Sequence, residues 1–470
     1  MQTDTSVSPS MAQIEDQIQE AYDQVDGLRR VPCEVKTAAE FEALERKIVA
    51  ATDRLAGLLV AKQLQTTLEA PALRQAGREL AKRYPKPLRD HGEREVELQL
   101  VRGGRVRVRT VYFRGKARRR GRPTPGLYPG LLLLGIQAHC TPAVLAEVGR
   151  LVAALGSFQE ASGLLHEWGI ALEVKCLRRI AYGYAAQVRA GVVGDTGPWA
   201  ESLAGARVVI STDGGRVRIR EDKRGPRTRK GRRRYHTEWR EPKLLQVYVV
   251  DAQGKKAREV RPWIDGTLKG PAVLMMLLEH YLRHLGVSQA AQVLVVADGA
   301  RWIWTRLPQV LAAVGLKAAQ VYELVDFYHA VEHLGTAAAL CKSWSAQQRR
   351  QWITKQRRAL KHGRVAAVIT AVAALRQRGK QQELSRERDF FVRNRHRMDY
   401  AAMAACKLPL GSGAMESAIR RVVNLRLKGA GIFWHEESAE AVLLLRSYYK
   451  AGRWEMVKKL AAAAPLQPAA

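Results

Sequence analysis

The feature that most constrains this chain is a short apolar run that ends in an acid, Leu294 to Asp298, followed directly by Gly299. Its β-branched residues, Val295 and Val296, are typical of a strand buried within a sheet. A carboxylate at the tip of a buried strand projects into the crevice at the carboxyl edge of an α/β sheet, where ligands bind. The run therefore predicts both a strand and a candidate site at its end.

A second strand ends in the same way. Residues 207–213 are again rich in β-branched residues, and Asp213 at their end is followed by Gly214 and Gly215. Because Asp-Gly is a common turn signal, each aspartate alone could be a turn former or a helix cap. Two such endings in one chain favour a joint role for Asp213 and Asp298.

The order of elements around these strands predicts the fold of residues 206–329. The elements are strands 208–213, 244–250 and 259–264, helix 272–285, strand 294–298, helix 302–314 and strand 320–325. Three consecutive strands followed by βα alternation predict a mixed sheet of the ribonuclease-H type rather than a purely parallel, doubly wound one. Residues 330–405 then show helical spacing, which indicates a helical insertion within this domain.

Before the sheet, the pattern predicts helices and one hairpin. Apolar spacings of three and four predict long helices over 15–83, which could pack on each other or on a second subunit. Alternation over 95–113, with a double glycine between the two runs, predicts a β-hairpin. Residues 158–168 and 172–182, joined at a glycine, resemble a helix-turn-helix, although a two-helix hairpin with no role in DNA binding has the same pattern.

Composition restricts the partners of the chain. It has 78 Lys and Arg against 45 Asp and Glu, a formal net charge of +33, and a pI near 10.4. So large a charge indicates a polyanionic partner, with nucleic acid first and an anionic membrane surface second. No run is long and apolar enough to span a bilayer, and residues 1–11 contain no apolar signal core, so we expect a cytoplasmic protein. The five cysteines have no paired spacing and fit reduced thiols rather than disulfides or a zinc site.

Basic residues are concentrated in a few segments. Residues 105–122 hold nine basic and no acidic residues, and 216–234 hold eleven basic and two acidic residues. The second segment looks too charged to pack, and it leaves the sheet directly beside Asp213. Such runs can be solvated surface, but arms that neutralise phosphates fit this composition at least as well. The residues expected to contact DNA are Arg118, Arg119, Arg120, Lys175, Arg178, Arg179, Arg227, Arg229, Lys230, Arg232, Arg233 and Arg234.

Two strand-end aspartates and a helical glutamate supply the hard oxygen ligands that Mg²⁺ or Mn²⁺ prefers. The glutamate is Glu416, near the first turn of a helix that Ser412 can cap. Two such ions, about 3.5–4 Å apart, hold the attacking and leaving oxygens of an in-line phosphoryl displacement. Glu416 could instead merely pair with Arg420. Three later glutamates are rival third ligands: Glu436, Glu437 and Glu440.

Several motifs together carry a resemblance to a known family. They are Ser211-Thr212-Asp213-Gly214, Ala297-Asp298-Gly299-Ala300-Arg301-Trp302-Ile303, Val325-Asp326-Phe327-Tyr328-His329, Gly411-Ser412-Gly413-Ala414-Met415-Glu416-Ser417, and the closing runs 425–434 and 441–446. In these motifs, over about residues 205–450, the chain resembles bacterial insertion-sequence transposases of the DDE class, nearest to the Kra type. The segment from Asp326 to His329 is similar to the Asp-x-x-His signature of Mutator-related transposases.

The resemblance implies a ribonuclease-H-like catalytic domain in which Asp213, Asp298 and Glu416 form the metal-binding triad. It also implies that Asp326 and His329 are accessory residues near the site. Relatives often carry cysteine pairs around the hairpin, as in a small zinc ribbon. This chain has no cysteine at 85–92 or 114–122, so no zinc is expected.

The sequence therefore predicts an α+β multidomain protein with a ribonuclease-H-like mixed sheet and a helical insertion. The predicted divisions are a helical region 1–90, a hairpin with a basic arm 91–135, a helix-turn-helix-like region 136–200, a catalytic core 201–335, a helical insertion 336–405 and C-terminal core helices 406–460. The expected function is that of a DNA transposase, which binds the terminal inverted repeats of its insertion sequence and cleaves and joins strands with two Mg²⁺ or Mn²⁺ ions. We expect it to act as a homo-oligomer on double-stranded DNA, associated with the nucleoid when bound. The alternatives are a ribonuclease-H-like nuclease or resolvase that does not join strands, and a catalytically dead DNA-binding regulator.

Overall fold

The structure, a computed structural model, describes residues 11–30, 34–84, 87–102, 104–115, 126–194, 199 and 201–465. The chain forms two compact units. One comprises the described residues up to 191 together with those from 460 onward, and the other comprises residues 192–459. Within the described ranges, no helix is both long and apolar enough to cross a membrane.

The first unit combines helices with a small antiparallel sheet. Its elements are α1 (Met11–Arg30), α2 (Ala38–Glu69), α3 (Pro71–Lys82), β1 (Leu88–Gln99), β2 (Arg105–Gly115), β3 (Gly126–Leu127), α4 (Pro129–Leu133), α5 (Pro142–Ala154), α6 (Phe158–Glu167) and α7 (Val174–Val193), which continues past the division at residue 191. One hydrophobic core contains Ala61 and Leu68 of α2 together with Leu98 of β1 and Val108 of β2. The long helix and the hairpin therefore bury their apolar faces against each other.

The predicted β-hairpin is confirmed, with a longer first strand than expected. β1 begins at Leu88 rather than at Glu95, because a β-bulge near its start lets the pairing with β2 continue. On the exposed face, arginines of β2 lie near glutamates of β1. Arg105 Nη1 is 3.1 Å from Glu97 Oε2, and Arg107 Nε is 3.4 Å from Glu95 Oε1. The positive charge of this strand is therefore partly balanced within the hairpin.

The two-helix hairpin predicted around residue 169 is also present. The side chain of Ser157 caps α6, and the buried Ile170 fills the turn before α7. Lys175, Arg178 and Arg179 are exposed in the first half of α7. Their spacing of three and four places them on one face of the helix, which faces solvent.

The second unit contains a mixed sheet surrounded by helices. Its elements are β4 (Arg207–Gly214), β5 (Val217–Asp222), β6 (Tyr235–Arg240), β7 (Lys243–Val250), β8 (Trp263–Thr267), α8 (Pro271–His284), β9 (Gln292–Ala297), α9 (Arg301–Val314), β10 (Val321–Val325), α10 (Phe327–Leu340), α11 (Ala346–Lys361), α12 (Val365–Ala373), α13 (Gln381–Asn394), α14 (Tyr400–Ala405), α15 (Gly413–Ile419), a π-helical turn (Arg420–Asn424), α16 (Glu436–Ala451) and α17 (Trp454–Ala463), which continues past the division at residue 459.

Five strands form one sheet in the order β10-β9-β4-β7-β8. Within this sheet the neighbouring strands β4, β7 and β8 pair antiparallel, whereas β9 and β10 add to the other side of β4 in parallel. The predicted α+β class and mixed sheet are therefore confirmed. The interiors of β4 and β9 are buried, which is why both read as continuous apolar runs.

The predicted position of the third strand was wrong. We expected residues 259–264, and the strand β8 is instead Trp263–Thr267. Pro262 lacks the N–H group that a ladder needs and precedes the strand. The strand also contains Asp265, so it does not show a continuous apolar pattern. This acid is tolerated at a fully buried position because it accepts a hydrogen bond from the hydroxyl of Tyr281 at 3.0 Å.

The expectation that residues 216–234 are too charged to pack was wrong for the first part of the segment, residues 217–222, whereas 223–234 are largely exposed. The first part of this segment forms β5, which pairs antiparallel with β6 in a separate two-stranded sheet. Val217 and Ile219 of β5 are buried. The alternation of arginine with these two apolar residues is a half-buried strand pattern that the high charge obscured.

The region between β10 and α15 is helical, as predicted, and is formed by α10 to α14. Helices α10 and α13 are joined by aromatic stacking. The rings of His333 and Phe390 are nearly parallel with 3.6 Å between their centroids, and His333 Nδ1 lies 2.6 Å from Glu387 Oε2. These contacts hold α13 beside α10, which follows β10 directly.

Candidate active site

The sheet places Asp213 and Asp298 side by side. β4 and β9 are parallel neighbours, and Thr212 of β4 pairs with Ala297 of β9. Asp213 and Asp298 directly follow this pair, and neighbouring strands lie about 4.8 Å apart. The two aspartates therefore lie at the same carboxyl edge of the sheet. The hydroxyl of Ser211 donates to Val296 O at 2.8 Å and links the strands one step earlier. The sequence prediction that the two residues share a site therefore agrees with the register.

The environment of Asp213 disfavours its charge. The pKa of this carboxyl is raised to about 6, mainly by burial and in smaller part by the charges of Asp298 and Glu241, while the backbone N–H of Gly214 and the nearby His329 act in the opposite direction. A carboxylate that is desolvated beside like charges gains from a proton or a cation. The strand end is thus electrostatically suited to hold a positive ion.

The turn after Asp298 is fixed from two sides. Asp298 Oδ1 accepts from the N–H of Ala300 at 3.0 Å, and the indole N–H of Trp304 donates to Asp298 O at 2.8 Å. Gly299 has no room for a side chain, since a Cβ there would lie 2.2 Å from the ring of Phe390. The helical insertion therefore packs directly against the turn that carries Asp298.

Asp326 is an anchor between the sheet and the segment before Glu416. It is buried, and its Oδ1 accepts from the N–H groups of Tyr328 at 2.6 Å and His329 at 3.1 Å, which caps α10. Its Oδ2 accepts from the N–H of Ser412 at 2.5 Å and from the hydroxyl of the same residue. Both oxygens are therefore used within the protein, and the carboxylate positions the start of α15.

Glu416 lies exposed in the first turn of α15, a helix that contacts β4 and β7. Within the described residues, which include all three candidate ligands, no group of three or more His, Cys, Asp or Glu side chains is close enough to hold a metal ion. The fold thus brings Asp213 and Asp298 together and leaves Glu416 outside such a group. Its helix nevertheless contacts the strand that carries Asp213.

The rival glutamates lie on α16, which contacts β8 at the far edge of the sheet from β9. Glu440 is already engaged there: Oε1 accepts from the hydroxyl of Thr267 and Oε2 from the N–H of Leu268, both at 2.7 Å. Glu436 and Glu437 are exposed in the first turn of the same helix. Glu440 is therefore already used within the protein, and the choice of Glu416 over Glu436 and Glu437 stays a prediction.

His329 lies close enough to Asp213 to act against the rise in the pKa of that carboxyl. Its side chain is 37% exposed, and Nδ1 lies 3.4 Å from Glu332 Oε2 one turn later on α10. Its ring meets that of His333 edge-on at 5.0 Å. His329 therefore contacts His333, whose ring stacks on Phe390 of the helical insertion.

Two charged residues at the site were missed by the sequence reasoning. Lys243 begins β7 opposite Gly214, and its nearly buried ammonium lies 2.9 Å from Glu241 Oε1 and 4.3 Å from the centre of the Trp302 ring. Glu241 lies against Gly214, because a Cβ on that glycine would be 2.0 Å from Oε1. A lysine at the head of an otherwise apolar run, directly after a proline, was the available signal.

The basic residues proposed from sequence have different settings. Those of the β5–β6 turn are exposed, and the turn is ordered by hydrogen bonds such as Thr228 N–H to Arg232 O at 2.7 Å. The cations of α7 are exposed as described above. Arg118, Arg119 and Arg120 lie outside the described residues. Of the four cysteines that the structure describes, none forms a disulfide.

Comparison with protein-family models, with curated proteins and with solved structures finds no match to this chain.

Proposed function

We propose that this protein is a metal-dependent DNA transposase with a ribonuclease-H-like catalytic domain. The observation that carries the proposal is the pairing of β4 with β9, which puts Asp213 and Asp298 at one edge of a mixed sheet. Three antiparallel strands followed by parallel βα units is the arrangement that the motif resemblance implies. The formal charge of +33 supports DNA as the substrate.

The donor chemistry of the two residues at the strand ends supports a divalent cation as the ligand. Asp213 and Asp298 are oxygen donors of the type that Mg²⁺ and Mn²⁺ prefer, and burial together with like charge makes an unpaired anion at Asp213 unfavourable. Asp213 and Asp298 would hold the metal, with Glu416 proposed as the third ligand. The bound metal would stabilise negative charge on the scissile phosphate. Asp326 would position the start of α15, and His329 would lie near Asp213 as an accessory residue.

The activity test uses purified full-length protein, duplex DNA that carries the ends flanking its gene, and Mg²⁺. Joined products support a transposase. Products that are cut and never joined would indicate a nuclease or resolvase, and end binding without any product would indicate a DNA-binding regulator. Asp298→Asn should bind DNA as the parent does and lose cleavage by several orders of magnitude, because charge stabilisation by metal is most of this catalysis.

The third ligand is tested by three matched substitutions. Glu416→Gln should abolish cleavage, whereas Glu437→Gln on α16 should retain it. Glu241→Gln is the additional test that the structure suggests, since Glu241 lies near Asp213 and is already paired with Lys243. If Glu241→Gln or Glu437→Gln abolished cleavage while Glu416→Gln cut normally, the assignment of Glu416 would be wrong.

A further inference from the structure

One face of the β5–β6 hairpin carries exposed aromatic rings beside arginines. Arg218 of β5 lies opposite Trp239 of β6, and Arg220 and Tyr235 lie further along the same face. Trp239 is 51% exposed and Tyr235 is 41% exposed. Large aromatic side chains at such exposure are costly to leave in water, so a cluster of them indicates a binding surface.

The rings and guanidinium groups are stacked on one another. The guanidinium of Arg218 is 4.8 Å from the centre of the Trp239 ring and 6.0 Å from that of Phe433. The guanidinium of Arg220 is 4.9 Å from the centre of the Tyr235 ring, which is in turn 5.7 Å from Phe433. We call these five residues the aromatic face. It presents flat, cationic groups of the kind on which bases stack.

The aromatic face is held in place from behind. Val217 and Ile219 project to the opposite side of β5 and are buried. Trp434, also buried, pairs with this strand: its N–H donates to Arg218 O at 3.0 Å, and its O accepts from the N–H of Arg220 at 2.8 Å. The rings therefore stand on a backbone that is fixed before any ligand binds, which lowers the entropy cost of binding.

The position of the hairpin relates the aromatic face to the candidate active site. β5 begins four residues after Asp213, which limits its start to about 14 Å of extended chain from that carboxylate. Glu241, directly after β6, lies against Gly214. The exposed basic turn 223–234 is at the other end of the hairpin. The aromatic face thus lies between the strand-end carboxylates and a cationic tip.

We propose that the aromatic face binds an unpaired stretch of DNA, with bases stacked on Trp239 and Tyr235 and phosphates drawn by Arg218, Arg220 and the basic turn. The choice of DNA rests on the proposed function, whereas the preference for unpaired bases rests on the exposed rings. Duplex DNA hides its base faces by stacking, so it cannot use these rings without local opening. Single strands offer every base as a flat surface.

The test measures binding of the full chain in EDTA to short oligothymidylate and to an abasic strand with the same number of phosphates. The parent should prefer the strand that has bases. Trp239→Ala and Tyr235→Ala should each weaken binding of oligothymidylate by roughly 5- to 150-fold, the range measured for single stacked bases, and leave the abasic strand unaffected. Trp239→Phe should restore most of the affinity, and Tyr22→Ala, which removes an exposed ring from α1, should have no effect.

Three results would overturn the proposal: equal affinity for the two strands, an equal loss for both strands in the alanine variants, or an RNA strand that binds at least tenfold more tightly with the same dependence on Trp239. Because EDTA prevents cleavage, the outcome does not depend on activity. Base-dependent binding in a protein that never cuts DNA would sustain this inference and refute the transposase. Cleavage without base-dependent binding would refute this inference and leave the transposase proposal standing.

Discussion

Replacing Asp213 by Asn should stabilise the metal-free protein near pH 7. The carboxyl lies at a strand end where burial and the charges of Asp298 and Glu241 raise its pKa from 3.8 to about 6. Asn keeps the size of the side chain and can accept the hydrogen bond that Gly214 N–H now donates to Oδ1 at 2.6 Å. The substitution therefore removes an unfavourable charge with little change in packing.

The magnitude follows from linkage between proton binding and folding. Because the folded-state pKa is above the unfolded value, the folded chain binds the proton more tightly, and its stability falls as the pH rises from about 4 to about 6. A difference of about 2.2 pKa units corresponds to at most about 3 kcal/mol at neutral pH. Since water partly screens a half-buried group, we expect about 1–2 kcal/mol. At pH 4 the parent is protonated, and the two proteins should be nearly equal.

The assay is urea unfolding in EDTA at pH 4 and pH 7, and tryptophan fluorescence reports the fraction of unfolded protein. Nine of the ten tryptophans lie in residues 192–459, so the signal follows the unit that contains Asp213. The free energy of unfolding of Asp213→Asn should exceed that of the parent at pH 7 only. Added Mg²⁺ should raise the stability of the parent and have less effect on the variant, since a ligand stabilises only the state that binds it.

Asp222→Asn is the matched control, because it removes the same charge from the exposed end of β5. Its effect should be small at both pH values. If Asp213→Asn were less stable than the parent at pH 7, or stabilised equally at pH 4 and pH 7, the charge of Asp213 would not be the source of the lost stability. The account of Asp213 as a buried charge that needs a cation would then be refuted.

Other predictions concern packing, the anchor and DNA binding. Gly299→Ala should destabilise the second unit by about 1–3 kcal/mol, because its Cβ would strike Phe390, whereas Gly335→Ala, in open space on α10, should be neutral or slightly stabilising in the same urea titration. Asp326→Ala should cost about 2–4 kcal/mol and reduce cleavage, since it removes the cap of α10 and the contact with Ser412; Ser412→Ala, which keeps the backbone donor, should cost less, and equal losses would contradict the anchor. If roughly six to ten phosphates are neutralised, affinity for duplex DNA should fall by about 10³–10⁵ between 50 and 200 mM salt, and a slope near zero in a gel shift would refute the electrostatic contact. Replacing Arg232, Arg233 and Arg234 together by Gln should lower that slope, whereas Arg46→Gln on α2 should leave it unchanged.

The sequence by itself determined four of the five strands of the mixed sheet and the pair of aspartates at their ends. Runs such as 293–297 are buried on both faces of the sheet and are therefore apolar throughout. Such a strand can be predicted from its own residues, without knowledge of the strands beside it. β2 could be predicted in the same way from its alternation, because one face of this strand is buried and the other is exposed. Since both acids follow runs of this kind, the shared edge could be predicted from the order of strands.

Only the tertiary structure decided which charged residues surround that pair. Asp265 sits inside a strand because the hydroxyl of Tyr281 on α8 donates to it. Lys243 begins a strand with its side chain nearly buried because it pairs with Glu241 and lies over the ring of Trp302, 59 residues later. The backbone of arginine-rich β5 is held in place because Trp434, more than two hundred residues later, hydrogen-bonds along it. Asp326 belongs to the anchor of α15 because the chain returns at Ser412 after the helical insertion. Sequence periodicity records burial along one element, and it carries no record of a hydrogen bond or ring contact made across such distances.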